Sequence, residues 1–327
     1  NDVRNSANTG WVGIGAILDD PAAYAAQYAI LVGAPGFTSS LSAGGDLRVR
    51  SNNRSYYAQG VQSVLGLAFD TGPASHQLQV SARYHEDEED RFQKDDRFHM
   101  VDGRMALVTP GAPGTQDNRV ATAEAWAFFV RDTITWNDLT LVPGVRYETI
   151  DLVQTNYGPT NPDRTGPAVV RTRNVDVWIP GVSATYRLEG DWRVFAGVHR
   201  GFSSPGPGSN IDPETSWNYE AGARYIADLL QFEASAFFTD YDNLVGTCTA
   251  STGGGCTIGD QFDGGEVDIY GVEAMARLDL GRALGWGLSA PVGLIYTYTH
   301  GEFRTSFNSG FGPWGAVLAG DELPYLP

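Results

Sequence analysis

The chain has 327 residues, 22 Lys and Arg against 39 Asp and Glu, and a formal net charge of −17. Its length suits two ordinary domains or one large all-β unit, and a 42% hydrophobic, 12% aromatic composition excludes a disordered chain. With Lys94 the one lysine, no basic tract exists to grip nucleic acid or an acidic membrane surface, so no nucleic-acid partner is expected.

Residues 1–54 lack a regular pattern and read as an extracellular loop segment. Asp20 and Pro21 resemble an N-cap and first helical residue, and Gly33 a stop, which predicts one short helix near 20–32. The longest uncharged stretch, 21–45, is broken by Gln27, Pro35 and several Gly and Ser, too often for the roughly 20 apolar residues of a spanning helix. Asn1 stands where an initiator Met would, so a processed or longer parent chain is expected.

From Ser55 onward the period is two. Leu78, Val80, Ala82 and Tyr84 alternate with Gln77, Gln79, Ser81 and Arg83. Trp217, Tyr219, Ala221, Ala223 and Tyr225 alternate with Ser216, Asn218, Glu220, Gly222 and Arg224. Leu230–Phe238 and Ala290–Tyr298 repeat the pattern, so one face meets an apolar medium and the other a polar one. Short turns (Gly72-Pro73, Asn137-Asp138, Gly190-Asp191, Ala227-Asp228) alternate with long links at 91–118, 157–172, 203–213, 244–263 and 305–327.

About ten strands follow, of about 10–17 residues each against the ~5–6 of soluble sheets. Phe69, Trp136, Trp192 and Trp286 sit beside short turns, while Tyr84, Tyr147, Trp178 and Trp217 lie about ten residues away, the spacing of two aromatic girdles around a ~25 Å lipid band. The expected fold is all-β: an antiparallel up-and-down transmembrane β-barrel with long extracellular loops.

Several stretches then become specific. Gly197-Val-His-Arg-Gly-Phe-Ser-Ser-Pro-Gly-Pro-Gly, Pro213-Glu-Thr-Ser-Trp-Asn-Tyr-Glu-Ala-Gly-Ala-Arg-Tyr, Val142-Pro-Gly-Val-Arg-Tyr-Glu and Tyr270-Gly-Val-Glu-Ala resemble the barrel of TonB-dependent outer-membrane receptors. Arg83-Tyr-His-Glu-Asp-Glu-Glu-Asp-Arg and Gly320-Asp-Glu-Leu-Pro-Tyr-Leu-Pro are similar to the ferric-citrate-type branch. The resemblance covers most of 55–327 and implies a 22-stranded barrel, of which about ten strands would make an incomplete open portion, with the plug, TonB-contacting box and final strands expected outside this chain. It implies the Gram-negative outer membrane, energised uptake of a ferric chelate such as ferric citrate, and contact with membrane lipid and lipopolysaccharide. The TonB complex would act through an N-terminal region, and iron would enter only as cargo, with no resident cofactor. A passive porin-like barrel and a surface β protein without transport are the rivals.

An anionic chelate calls for extracellular cations. Arg91, Arg97, Arg164, Arg171, Arg173, Arg200 and Arg304, all in or beside long links, are the candidates, each with a solvated-surface or lipopolysaccharide role as its alternative. Arg83, Arg146, Glu148, Glu220, Arg224, Glu273 and Arg277 read as ion pairs inside the lumen. His85–Asp90 offers carboxylates for a divalent ion, but reads first as a solvated charge run on a loop rim. Cys248 and Cys256 suit a short-loop disulfide of an oxidising compartment, two free thiols being the alternative; no zinc ligand set accompanies them, and no metal site is expected. No hydrolase constellation stands out: Gly181-Val-Ser-Ala-Thr lacks the second glycine of a nucleophile elbow, and the five histidines are scattered, so no enzyme is expected.

Overall fold

A computed structural model describes residues 2–7, 10–34, 47–101, 103–247, 261–308 and 315–323. Ten long strands dominate it. In chain order they are β4 (Arg54–Thr71), β5 (Ala74–Val101), β7 (Asp117–Trp136), β8 (Leu139–Asn156), β9 (Val169–Arg187), β10 (Trp192–Ser203), β11 (Glu214–Ile226), β12 (Leu230–Asp242), β15 (Val267–Asp279) and β16 (Pro291–Phe303). Each pairs antiparallel with the next, so the sheet is an up-and-down meander with β4 and β16 at its edges.

The short turns work as their residues suggest. Gly72 takes φ +60° ahead of Pro73, and Asn137 takes φ +53° before Asp138, the left-handed geometry that two-residue hairpins need. The link between β15 and β16 is longer and carries a helical turn, α3 (Leu280–Ala283). Asp279 caps it, accepting from Arg282 N, Ala290 N and Ser289 Oγ, and those bonds hold its carboxyl down at about 2.

Strand parity explains where the apolar residues go. Val61, Leu65, Leu67, Val130, Val182, Val272, Leu294 and Tyr296 point to one face and remain exposed. Compact cores are correspondingly small: Ile30, Leu47 and Met100; Ile150, Leu152 and Val175; Val267, Phe303 and Val317. The apolar face carries two aromatic rows. Tyr84 packs on Trp126 (5.1 Å between centroids) and Tyr147 on Trp178 (4.8 Å) near the long-loop end. Near the short turns Phe69 stacks on His76 (4.7 Å) and Trp192 on Tyr225 (5.1 Å). From Trp136 to Trp126 is ten residues, roughly 33 Å of strand and ~25 Å of height at barrel tilt. Residues between the rows form the membrane-spanning band; those beyond Tyr84, Trp126, Tyr147, Trp178 and Trp217 stand above it. No helix among the described residues is long and apolar enough to cross a membrane.

Three expectations need correction. Residues 1–54 are not merely loop: β1 (Asp2–Ala7), β2 (Gly10–Gly13) and β3 (Leu47–Ser51) pair in the order β5-β3-β1-β2. In place of one helix over 20–32, only α2 (Ala25–Leu31) falls within that stretch and a separate α1 (Ile14–Asp19) precedes it, because the backbone departs from helical geometry at Asp20 (φ −135°, ψ 78°) and again at Tyr24 (φ −114°, ψ 37°). Asp20 caps the intervening turn through Ala23 N, and Gly33 (φ +65°) ends α2 as read, with Ala34 N on Ala29 O and Gly33 N on Ile30 O. The predicted link 91–118 is mostly strand: β5 runs to Val101 and folds back as β6 (Arg104–Thr109). The acidic run His85–Asp90 therefore lies mid-strand rather than on a loop rim. The two cysteines lie outside the described residues.

Candidate functional site

Within the membrane band the inner face carries charged and polar residues beside alanines and the rings of Phe129, Phe195 and Phe237. Arg224 forks onto Glu233 (2.6 and 2.7 Å), Arg146 bonds Glu148, and Arg131 donates to Gln79 (2.7 Å). Above the band the same face turns basic. Arg91 and Arg119 are register partners on β5 and β7, Arg54 pairs with Arg91 on β4, and Arg48 and Arg97 are partners on β3 and β5. Arg50 adds a sixth guanidinium, forked on Asp95 at 2.9 and 3.2 Å, with Arg48 3.3 Å from the same carboxylate. Glu89, Asp95 and Asp117 are the carboxylates interleaved with them, so this patch keeps a positive excess.

The link between β10 and β11 folds onto this wall. Gln154 donates to Pro207 O (2.8 Å), Gln261 accepts from Gly206 N (2.7 Å), and Arg173 bonds Ile211 O and Asp212 (3.0 Å). Between link and wall lies a cavity of about 480 Å³ whose cationic lining is Arg91, Arg119 and Arg171. Arg91 is 2.7 Å from Glu89 and 3.7 Å from Asp117, Arg119 is 3.5 Å from Asp117, and Arg171 reaches Gly208 O (3.4 Å). Burial pushes the Arg119 pKa down, with Arg91 adding to that and Asp117 opposing it. Burial works on Glu89 in the opposite sense, upward, but bonds from Arg91 and Tyr56 outweigh it and hold the carboxyl low. Partly desolvated cations of this kind favour an incoming anion more strongly than exposed ones.

The seven candidate arginines divide by face. Arg91 and Arg171 line the cavity, Arg173 anchors its covering link, and Arg97 stands higher on the inner parity. Arg164, Arg200 and Arg304 belong outside. Arg200 shares the outward parity of its partner Trp217 and donates to Trp178 O (3.2 Å), while Arg304 pairs with Asp240 (2.9 Å) and Asp268 (3.6 Å). Arg119 is the cavity residue that loop-based reasoning missed; its parity with the inward alanines 121–127 was the available signal.

Arg164 is fully engaged. It forks onto Asp90 (2.5 and 2.9 Å), donates to buried Asn118 (2.8 Å), and lies over Phe92 and Tyr157 at 5.0 and 5.1 Å. The Asp90 bonds raise its pKa. It staples the 157–168 link to the outer face of β5 and β7. Arg164→Ala should raise amide exchange across 157–168 about 30-fold, some 2 kcal/mol of local opening, while leaving anion binding unchanged. Exchange measured by mass spectrometry checks this.

A meander with one apolar face and one face bearing the charged residues defines part of a membrane-spanning antiparallel β-barrel. The chain belongs to the TonB dependent receptor-like, beta-barrel family, whose model matches residues 2–327, and it lies in the Gram-negative outer membrane. That is a receptor family rather than an enzyme family. Among curated proteins it is similar to the pesticin receptor of Yersinia enterocolitica, 28% identical over 169 residues, 47% of this chain and 21% of that protein. Among solved structures it is similar to the ferric citrate transporter FecA in its unliganded form (TM-score 0.60, 22% identity, 79% of this chain, 37% of that one). The siderophore receptor PiuA of Acinetobacter baumannii compares equally (TM-score 0.60, 17% identity, 88% and 44%). The chain thus spans about a fifth of the length of the curated relatives it matches.

Proposed function

We infer that this chain is part of the wall of an outer-membrane receptor that captures an anionic ferric chelate, ferric citrate or a siderophore-like relative, for TonB-energised uptake. The observation that carries the reading is the cavity enclosed by Arg91, Arg119, Arg171 and the 206–211 link on the inner face above the membrane band. Guanidinium forks match carboxylates bidentately, and a cavity of this volume suits a small chelate. Naming of FecA and PiuA for ferric citrate and siderophore supports the same cargo class. The free edges of β4 and β16 fit the reading too: unpaired strand groups in lipid cost several kcal/mol each, so further strands of the same receptor would complete the barrel around a plug. Outer-membrane lipid and lipopolysaccharide would meet the outward face.

The test is direct binding to the full-length receptor in detergent, by calorimetry, with ferric citrate and a ferric trihydroxamate of no net charge. Saturable binding of the anionic chelate that weakens with added salt is expected. Equal affinity for the neutral chelate, or binding unmoved by Arg119→Ala, would sink it.

A further inference from the structure

The lipid-facing band contains one carboxylate that its pattern does not predict. Asp132 shares the outward parity of Val130, Ile134 and Trp136 on β7 and is the register partner of Leu78. A charge on the lipid side of a barrel strand is costly, and ionisable groups held in membrane mark functional sites by default. The Asp132 side chain is 19% exposed. Its Oδ2 is 2.6 Å from His76 Nδ1, 56 residues away in sequence, while its Oδ1 is buried with no hydrogen-bond partner. The other imidazole nitrogen, Nε2, is 2.7 Å from the hydroxyl of Thr71. Phe69 stacks on the ring at 4.7 Å with only 2° between planes, which fixes its orientation.

With Asp132 ionised and acceptor-only, Nδ1 carries the proton and Nε2 of the neutral ring faces the Thr71 hydroxyl as a base. Hydroxyl, imidazole and carboxylate stand in the order and spacing of an activated nucleophile, a geometry recognised by roles rather than by chain position. Gly72, next in the chain, lies between the last paired residues Thr71 and Ala74. Pro73 has no N–H, so the Gly72 N–H is the turn's one donor outside the ladder, in the position that serves an oxyanion after a nucleophile elsewhere. No motif scan shows this, because three strands supply the parts.

We propose that Thr71, His76 and Asp132 form an acyl-transfer site on the outward face at the short-turn rim, acting on the acyl ester of a glycerophospholipid. The rim lies where the apolar band meets the periplasmic interface, the depth of a phospholipid's ester linkage. Thr71 Oγ attacks the ester carbonyl and its proton passes to Nε2, Asp132 holding the imidazolium. The alcohol leaves with that proton, giving acyl-threonine. Water then attacks this ester, losing a proton to Nε2, and the fatty acid departs as Thr71 recovers its hydrogen. The sum is ester plus water to acid plus alcohol, with no oxidant or metal required.

The experiment uses the full-length receptor reconstituted in phosphatidylethanolamine vesicles, with Thr71→Val, His76→Gln and Asp132→Asn variants. Heat-modifiable gel mobility confirms that each is folded. An alkyl fluorophosphonate should add to Thr71, located by peptide mass, and fatty-acid release from the vesicle lipid should fall about 100-fold or more in folded His76→Gln. A folded wild type that never labels, or labelling that survives His76→Gln, overturns the site and leaves the relay a means of neutralising Asp132. Hydrolysis of soluble p-nitrophenyl butyrate without release from the vesicle lipid overturns the phospholipid assignment. Chelate binding by the inner cavity is measured on the same variants and should not change, so failure here is distinguishable from failure of the transport reading.

Discussion

Val182→Arg should cost the folded receptor about 2–4 kcal/mol, while Ser183→Arg, one residue along the same strand, should fall within about 0.5 kcal/mol of wild type. Val182 pairs with Val198 and Pro143 in the middle of the apolar band and is 44% exposed to what surrounds the sheet. A guanidinium there must snorkel or draw water into hydrocarbon. Ser183 pairs with Gly197 and Val142 on the inner face, and the missing side chain at Gly197 leaves room for a long residue. Urea titrations of the receptor in lipid vesicles, followed by tryptophan fluorescence, give both values. If the two substitutions cost the same, the apolar face does not meet lipid and the barrel assignment fails.

That contrast rests on the part of the fold most legible in the amino-acid sequence. Period two is imposed by strand geometry, and two different solvents on the two faces write it into every strand from Ser55 on. Turn chemistry was equally readable at Asn137 and Gly72, where positive φ restricts the choice of residue. The first 54 residues were not readable, since β1, β2 and β3 are short and take their pairing from the extension of β5 rather than from any alternation of their own. Alternation also says which face a residue occupies but not what lies beside it. Register brings Arg119 next to Arg91, and Asp132 within reach of His76, across strands whose spacing depends on loop lengths. Arg164, Arg200 and Arg304 were singled out for nearness to loops, and parity is the better guide: it sends Arg200 outward with Trp217. The break at Asp132 within Val130-Arg-Asp-Thr-Ile134 is visible as a pattern violation, though its partners are not.

Arg119→Ala should weaken ferric citrate binding about 10- to 100-fold, as expected for losing a charge-assisted bond of ~1.5–3 kcal/mol. Of the two cavity guanidiniums withdrawn from solvent, Arg91 and Arg119, it has the weaker carboxylate contact. Arg91 is shared between Glu89 and Asp117, and Arg171 is tied to Gly208 O, whereas Arg119 has Asp117 at 3.5 Å as its one ion-pair contact among the described residues. Its depressed pKa records burial that water does not fully offset, so an entering carboxylate recovers solvation that the protein withholds. Arg119→Lys should restore only part of the affinity, because an ammonium keeps the charge but cannot fork. Arg171→Ala should lose less than Arg119→Ala, since Arg171 is exposed and its charge is already solvated. Arg200→Ala and Arg304→Ala, on the outward side, should stay within about 2-fold of wild type. Isothermal titration across this set separates the faces. Loss at Arg200 or Arg304 with none at Arg119 would move the anion site off the inner wall, and the cavity would then be a packing gap under the 206–211 link.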